Sequence, residues 1–407
     1  MMPREKVIDL YVSKSHKDKP IFRKFLKGVL GKAANSGYIV NIVDMTEVPL
    51  EAYIASRKGN NGRCVLIVGM NLFQEADILA AFKEANIPFF VINRHYADFL
   101  NINSVSINYS NAVKEITEHL IKSGRRKIAF VGFNRFSSID RQKLEGYTSA
   151  LKEYRLDFNS NYIFDYGVKK VSDSIEEFLS VVKQFDAAVC SNDSIAIMVS
   201  NALRKKGVLI PDELAITGFD NMTIGRLATP KLTTIGFSQE EIGMLAVKAV
   251  SLFQGGTKIS NLKIMVNYKL LIRESSGSSP GTAINKVPNP WLENDDGCKP
   301  LAEQDYDQAK NMEYWFDEDI NRYYDFERLL YSITSLELKI LGMLLSKAFY
   351  KEIAAELYIT ERAVKYHVEK LSERLHVESG KALVRLLNSN FDASRLIRVS
   401  KRWFYRY

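Results

Sequence analysis

The sequence predicts two architectures in one chain: an α/β module with parallel sheets over residues 1–275 and a small all-α module over residues 331–390. Three observations carry this reading. Short β-branched runs alternate with longer amphipathic segments up to about residue 275, a Ser/Gly/Pro-rich stretch breaks the pattern after Arg273, and short amphipathic helices without strands follow from residue 332. At 407 residues the chain also exceeds one ordinary core, since domains run to about 100–200 residues.

The strand-like runs are Val7–Val12, Ile39–Val43, Val65–Val68, Phe89–Ile92, Lys127–Val131, Ala187–Val189 and Leu214–Thr217. They are continuously apolar rather than alternating, as expected of parallel strands covered on both faces by crossover helices. Between them Phe22–Ala34 and Ala112–Lys122 read as helices, the second stopped by Ser123-Gly124. Residues 276–330 read as a linker, opening on Ser275-Ser-Gly-Ser-Ser-Pro-Gly281 and continuing into an acidic, aromatic stretch in which Phe316, Ile320, Tyr323, Tyr324 and Leu330 are spaced for a helix. Residues 391–407 form a basic, aromatic tail.

Composition narrows the function classes. Hydrophobic residues make up 46% and charged residues 26%, which suits a globular protein with real cores. The N-terminus lacks a signal-peptide pattern, and no stretch approaches the roughly 20 apolar residues of a membrane span, so a cytoplasmic protein without a membrane partner is expected. Cys64, Cys190 and Cys298 are scattered singly among five histidines, which predicts reduced thiols, no metal site and no cofactor. There is no GxGxxG after a strand, no P-loop, no GxSxG placed as a nucleophile elbow between a strand and a helix, and no HExxH, so no enzyme and no catalytic residue is expected. The net charge of +8 is unevenly spread: residues 281–330 hold twelve Asp/Glu against five Lys/Arg, and residues 331–407 hold fourteen Lys/Arg against eight Asp/Glu. The C-terminal module is thus the one suited to a polyanion.

Two local patterns carry chemistry. Asn93, Asn192 and Asp220 each follow an apolar strand run directly, and open α/β sheets bind ligands beyond the carboxyl ends of their strands. In the C-terminal module Thr360 is placed to cap a helix, and Val364, Val368, Leu371 and Leu375 form a buried stripe that turns Arg362, Tyr366, Glu369 and Glu373 outward with Lys365 on the flank.

Several stretches in order over the first module resemble the sensor domain of the lactose-repressor (LacI-type) family, itself similar to periplasmic sugar-binding proteins. They are Ile21-Phe22, Ile87-Pro88 to Asn93-Arg94, His119-Leu-Ile121 with Gly124-Arg-Arg-Lys-Ile128, Ser138 to Gly146-Tyr147, Ser191-Asn-Asp-Ser-Ile-Ala196, Ile210-Pro-Asp-Glu213, Gly218-Phe-Asp-Asn221 and Pro230 to Ile235. The resemblance implies a periplasmic-binding-protein-like (type I) fold: lobe one at 5–107 plus 237–258, lobe two at 108–235 plus 262–274, and a ligand between them. It implies hydroxyl contacts from Asn192 and Asp220, stacking by Phe22, a further contact from Asn93, and a cation supplied by either Lys143 or Arg141. A sugar-like small-molecule effector is the expected ligand.

Residues 332–388 resemble the LuxR-type helix-turn-helix through Ile333-Thr-Ser-Leu-Glu337, Ile340-Leu341, Lys351-Glu-Ile-Ala354, Ile359-Thr360, Val364-Lys-Tyr-His367, Leu371 and Arg374-Leu375. Helix-turn-helix modules read duplex DNA with the N-terminal half of their second helix in the major groove. The resemblance therefore implies Arg362 and Tyr366 at base edges, Lys351 and Lys365 at phosphates, and Thr360 and Glu369 on the same surface. Three positions depart from the family pattern: Lys347 stands where a glycine is usual, Phe349-Tyr350 replace a small polar pair, and Ala363 replaces Thr. Together the two modules imply a transcription regulator acting on double-stranded DNA as a homodimer. A sensor whose helical module binds a protein partner is the alternative.

Overall fold

The computed structural model describes residues 6–17, 19–57, 63–69, 72–94, 101–167, 169–254, 259, 261–277 and 318–390. Most of the expected linker and the whole basic tail, 391–407, lie outside them, as does Cys298.

Among the described residues there are two six-stranded sheets. The first contains β1 (Lys6–Val12), β2 (Tyr38–Asp44), β3 (Arg63–Val68), β4 (Phe89–Ile92), β5 (Ser104–Ser106) and β11 (Lys263–Met265), in the order β11-β5-β4-β3-β1-β2 and parallel throughout. The second contains β6 (Ile128–Phe133), β7 (Ile163–Asp165), β8 (Ala187–Cys190), β9 (Ala215–Phe219), β10 (Thr233–Phe237) and β12 (Tyr268–Leu271), in the order β12-β10-β9-β8-β6-β7. It is parallel except for β12, which runs against β10. Strands β3, β4, β6, β8 and β9 are buried almost without interruption, which is the physical content of their apolar runs.

Helices α1 (Lys14–Lys17), α2 (Pro20–Ala34), α3 (Leu50–Arg57), α4 (Leu72–Glu84) and α10 (Gln239–Gln254) belong with the first sheet. Helices α5 (Tyr109–Lys122), α6 (Ser138–Glu153), α7 (Val171–Ser180), α8 (Asp193–Lys205) and α9 (Thr223–Leu227) belong with the second. The chain therefore crosses between the lobes three times: after β5, after β10, and between β11 and β12. The stretch 262–274, expected wholly in the second lobe, is split. Met265 and its neighbours pair with β5 of the first sheet, and only β12 joins the second. Six residues from Lys263 to Tyr268 suffice to step across, because β5 and β10 are the strands beside which both segments lie.

Helix α5 begins at Asn108, whose side chain accepts the Asn111 N–H at 2.9 Å, and stops where Gly124 takes a φ of 102°. Its neighbour α6 lies close against it. A β-carbon at Gly146 of α6 would sit 2.0 Å from the Ser110 carbonyl oxygen, so only a hydrogen fits at that crossing.

The C-terminal helices are α11 (Glu318–Ser332), α12 (Ser335–Leu345), α13 (Tyr350–Glu356), α14 (Glu361–Arg374) and α15 (Gly380–Asn390). Ile340, Leu341, Ile353, Val364, Leu371, Leu383 and Leu387 are fully buried between α12, α13, α14 and α15. Thr334 and Glu337 form a reciprocal capping box at the start of α12. The same buried Glu337 carboxylate faces Arg374 at 3.5 Å, His367 at 3.9 Å and Lys370 at 4.0 Å on α14. Burial raises the Glu337 pKa, but the Thr334 backbone and hydroxyl bonds and the two cations outweigh it and hold the carboxyl below its usual range.

Replacing Gly146 by Ala should force α5 and α6 apart and cost about 1–3 kcal/mol, the usual range for overpacking a close contact. Urea unfolding of the full chain measures it. An unchanged midpoint would mean that the two helices are free to shift.

Candidate functional site

The carboxyl ends of both sheets turn toward one crevice. Asn93 follows β4 directly with a φ of 58°, and Asp220 follows β9 with a φ of 100°. Both take the left-handed backbone region that Asn and Asp tolerate better than other side chains. Asn192 follows β8 after one residue and caps α8, its side-chain oxygen accepting the Ile195 N–H at 3.0 Å.

A cavity of about 130 Å³ lies there. Its polar lining comes from Asn93, Asn134, Asn192 and Gln239, from the carboxylates of Asp140 and Asp220, and from Lys19 and Lys143. Tyr109, Tyr166, Phe237 and Tyr324 supply aromatic surface. Tyr109, Phe219 and Phe237 lie within 5.7 to 6.4 Å of one another, ring centre to ring centre, beside two of the three crossovers. The Asn93 amide donates to Gln239 Oε1 at 3.1 Å. Its own Oδ1 is buried without a hydrogen-bond partner among the described residues, which leaves an acceptor at the wall of the cavity.

Four of the six residues expected at the ligand thus line the cavity: Asn93, Lys143, Asn192 and Asp220. Phe22 does not. It is 2% exposed, packed beside Phe25 in the core under the first sheet, because the face of α2 that carries Phe22, Phe25 and Val29 is the buried one. Its neighbour Ile21 is the residue that reaches the crevice. Arg141 is not among the lining residues either; its Nε donates to the Arg135 carbonyl at 3.0 Å. Of the two cations, Lys143 is the one that lines the cavity. Its Nζ donates to the Ser191 carbonyl at 2.6 Å, lies 3.7 Å from Asp140, and sits 4.3 Å from the centre of the Phe219 ring.

Sequence reasoning missed Lys19, Tyr109, Asp140, Gln239, Ile320 and Tyr324. Asp140 stands within the stretch 138–147 that carries the family resemblance and could have been found there. Lys19 stands just before the Ile21-Phe22 stretch but belongs to no matched motif itself, and Gln239 begins a helix beyond the last matched stretch. Ile320 and Tyr324 come from α11, and no local pattern could reveal that this helix folds back to the crevice.

In the C-terminal module Thr360 accepts the Ala363 N–H at 3.1 Å and caps α14. Arg362, Lys365, Tyr366 and Glu369 of α14 are exposed, as is Lys351 on α13. Lys365 and Glu369 lie 3.8 Å apart, so part of the cationic charge of this face is offset by its own helix. His367 is turned inward to Glu337. Lys347, at the position where glycine is usual, adopts a φ of 66° after α12, so the turn is kept and a lysine carries its conformational strain.

Residues 117–276 match the model of the periplasmic binding protein-like domain, and residues 331–387 match that of the bacterial regulatory proteins of the luxR family. The chain joins a LacI-type sensor domain to a LuxR-type helix-turn-helix domain. Among its relatives is the probable HTH-type transcriptional repressor ExuR of Bacillus subtilis, 30% identical over 214 residues, 51% of this chain and 64% of the repressor. The NTD biosynthesis operon regulator NtdR of the same organism is 28% identical over 282 residues, 67% of this chain and 83% of the regulator. These relatives are transcriptional regulators rather than enzymes. Two solved structures share the fold of the sensor domain. They are a putative LacI transcriptional regulator from Bacillus cereus (TM-score 0.59, 24% identity, 67% of this chain and 98% of that one) and a CelR–cellobiose complex (TM-score 0.58, 20% identity, 67% and 85%). No helix among the described residues is long and apolar enough to cross a membrane.

The electrostatics of the sensor cavity balance two carboxylates against two ammonium groups in a confined space. Burial, reinforced by Asp220, pushes the Asp140 carboxyl up to about 6 against the pull of Lys143. Asp220 is raised by burial too, with Lys143, Lys19 and Lys24 opposing. Burial lowers Lys19 to about 8 and His16 to about 3, so the imidazole is neutral at physiological pH.

The sign of the Asp140 effect follows from linkage. The folded state holds this proton more tightly than the unfolded chain, whose carboxyl returns toward 3.8, so the stability contribution falls as pH rises from about 4 to about 6 and stays low above that. Replacing Asp140 by Asn should remove that slope. Urea midpoints of the two chains, compared across this interval, are expected to differ by an amount that changes with pH, and a constant difference would contradict the assignment.

Proposed function

We propose that the protein is a cytoplasmic transcription regulator that binds a sugar-like small molecule in the interlobe cavity and duplex DNA through α14, working as a homodimer. The observation that carries this reading is the lining of the cavity. Amides, carboxylates and ammonium groups alternate there with aromatic faces, which is what a polyhydroxylated ring needs: paired donors and acceptors for vicinal hydroxyls and flat apolar surface for its C–H faces. Asn93 Oδ1, Asn192 and Asp220 are assigned to hydroxyl contacts, with Lys143 holding the carboxylates in place. Tyr109, Tyr166 and Phe237 take the stacking role first expected of Phe22. The cellobiose in the CelR complex is a compound of this class bound by a relative of the same fold.

A thermal-shift series on the full chain with ribose, glucose, galacturonate, cellobiose and glucose 6-phosphate tests the ligand. A binding sugar at 100 times its Kd stabilises by about 2.7 kcal/mol. Replacing Asp220 by Asn should abolish the response of the best compound, and a retained response would remove Asp220 from the site.

For DNA, Arg362 and Tyr366 are assigned to base edges, Lys351 and Lys365 to phosphates, and Glu369 to the rim where it partners Lys365. After selection of a preferred duplex from a random pool, replacing Arg362 by Ala should cost about 1–3 kcal/mol and relax the sequence preference at one position. Replacing Lys351 by Ala should weaken all sequences alike and reduce the salt slope by about one. Binding of a protein partner instead of DNA would leave the selection without an enriched sequence.

A further inference from the structure

The wall of the sensor cavity is not made by the sensor alone. Ile320 and Tyr324, one helical turn apart on α11, line it together with Asn93, Asn192 and Asp220. Three residues further along the same face, the Glu327 carboxylate accepts the backbone N–H groups of Thr223 and Ile224 at 2.8 and 3.0 Å, fastening α11 to α9. Lys19 of the first lobe lies 5.6 Å from the centre of the Tyr324 ring. The hydroxyl of Tyr323 accepts from Asn201 of α8 at 3.4 Å. The other end of α11 belongs to the C-terminal module: Leu329 and Leu330 are buried at 1% and 6%, the Ser332 hydroxyl accepts from Arg374 of α14, and Thr334, two residues on, begins the capping box of α12.

The geometry points to α11 as a displaceable roof of the sensor cavity, through which occupancy is passed to the helix-turn-helix. The argument is one of space and rigidity. With Ile320 and Tyr324 in place the cavity holds about 130 Å³, whereas sites for small organic ligands commonly run to roughly 300–1,000 Å³. A ring-sized ligand and the two side chains compete for the same volume, so the ligand enters as Tyr324 leaves. A helix moves as a unit over 15 residues, and two residues separate its end from α12, so its far end cannot stay fixed when its near end lifts. Among the described residues the exposed face of α14 remains uncovered with α11 docked, so α11 itself acts on the placement of the reading helix. Of the acidic residues of α11, Glu327 serves the sensor side.

This inference rests on the cavity being the ligand site, and its test needs no sugar. In the full chain carrying Cys298→Ser, Ile139→Cys places one thiol at the cavity wall, where Ile139 is a lining residue, while Cys64 and Cys190 are buried at 0% and 2% and slow to react. The rate of modification by dithiobis(nitrobenzoate) is read in this chain and in the same chain with Ile320→Ala and Tyr324→Ala. At least a tenfold faster reaction is expected without the two side chains, and wild-type speed with Tyr324→Phe, which keeps the ring. Once the thionitrobenzoate group is attached in the otherwise intact chain, amide exchange in α11 and at the start of α12 should rise at least tenfold. Equal labelling rates, or unchanged exchange after loading, overturn the roof. Circular dichroism of the double-alanine chain separates opening of the cavity from loss of fold. A sugar that stabilises the protein without raising exchange in α11 would leave the ligand reading intact and reject this one.

Discussion

The arrangement of this protein depends on one constraint: two parallel sheets presenting the carboxyl ends of their strands to the same crevice. Parallel strands need crossover helices, and those helices cover both faces of each sheet and leave only the strand ends for chemistry. Because the chain passes between the lobes three times, the two sets of strand ends are tied to each other rather than free to drift. Asn93, Asn192 and Asp220 are functional candidates for this reason alone; each is the first or second residue after a strand has stopped being buried. The aromatic contact of Tyr109, Phe219 and Phe237 sits beside the crossovers and supplies the floor against which polar groups are set.

That polar set is held under tension. Two carboxylates and two ammonium groups share a confined space, and burial opposes the charge of Asp140, Asp220 and Lys19. The result is a carboxyl at Asp140 that titrates near 6 and a lysine at position 19 that titrates near 8, with Lys143 satisfied by a backbone carbonyl and the face of Phe219. The polyhydroxylated ligand proposed for this site would meet the set without adding net charge.

The same economy governs the C-terminal module. Its four helices form a small core, and Glu337 links the beginning of α12 to Arg374, Lys370 and His367 of α14. The inward direction of His367 and the outward direction of Arg362 and Tyr366 are two consequences of one helical stripe. Helix α11 then joins this core to the sensor, so that a residue of the linker, Tyr324, shares the cavity with residues from both lobes.

Sequence alone determined what depends on near neighbours: the apolar runs of the strands, the cap at Thr360, the stripe of α14, and the candidate positions directly after strands. Burial of a run or capping of a helix is settled within a few residues, and so it is written locally. Tertiary structure decided what depends on meetings between distant segments. It turned Phe22 into the core and Ile21 to the crevice, set Lys143 rather than Arg141 at the cavity wall, drew Lys263–Met265 to the first sheet, and brought Tyr324 some two hundred residues back along the chain to Asn93. Helical periodicity names a face but not its partner, and a partner is fixed only when the whole chain has closed.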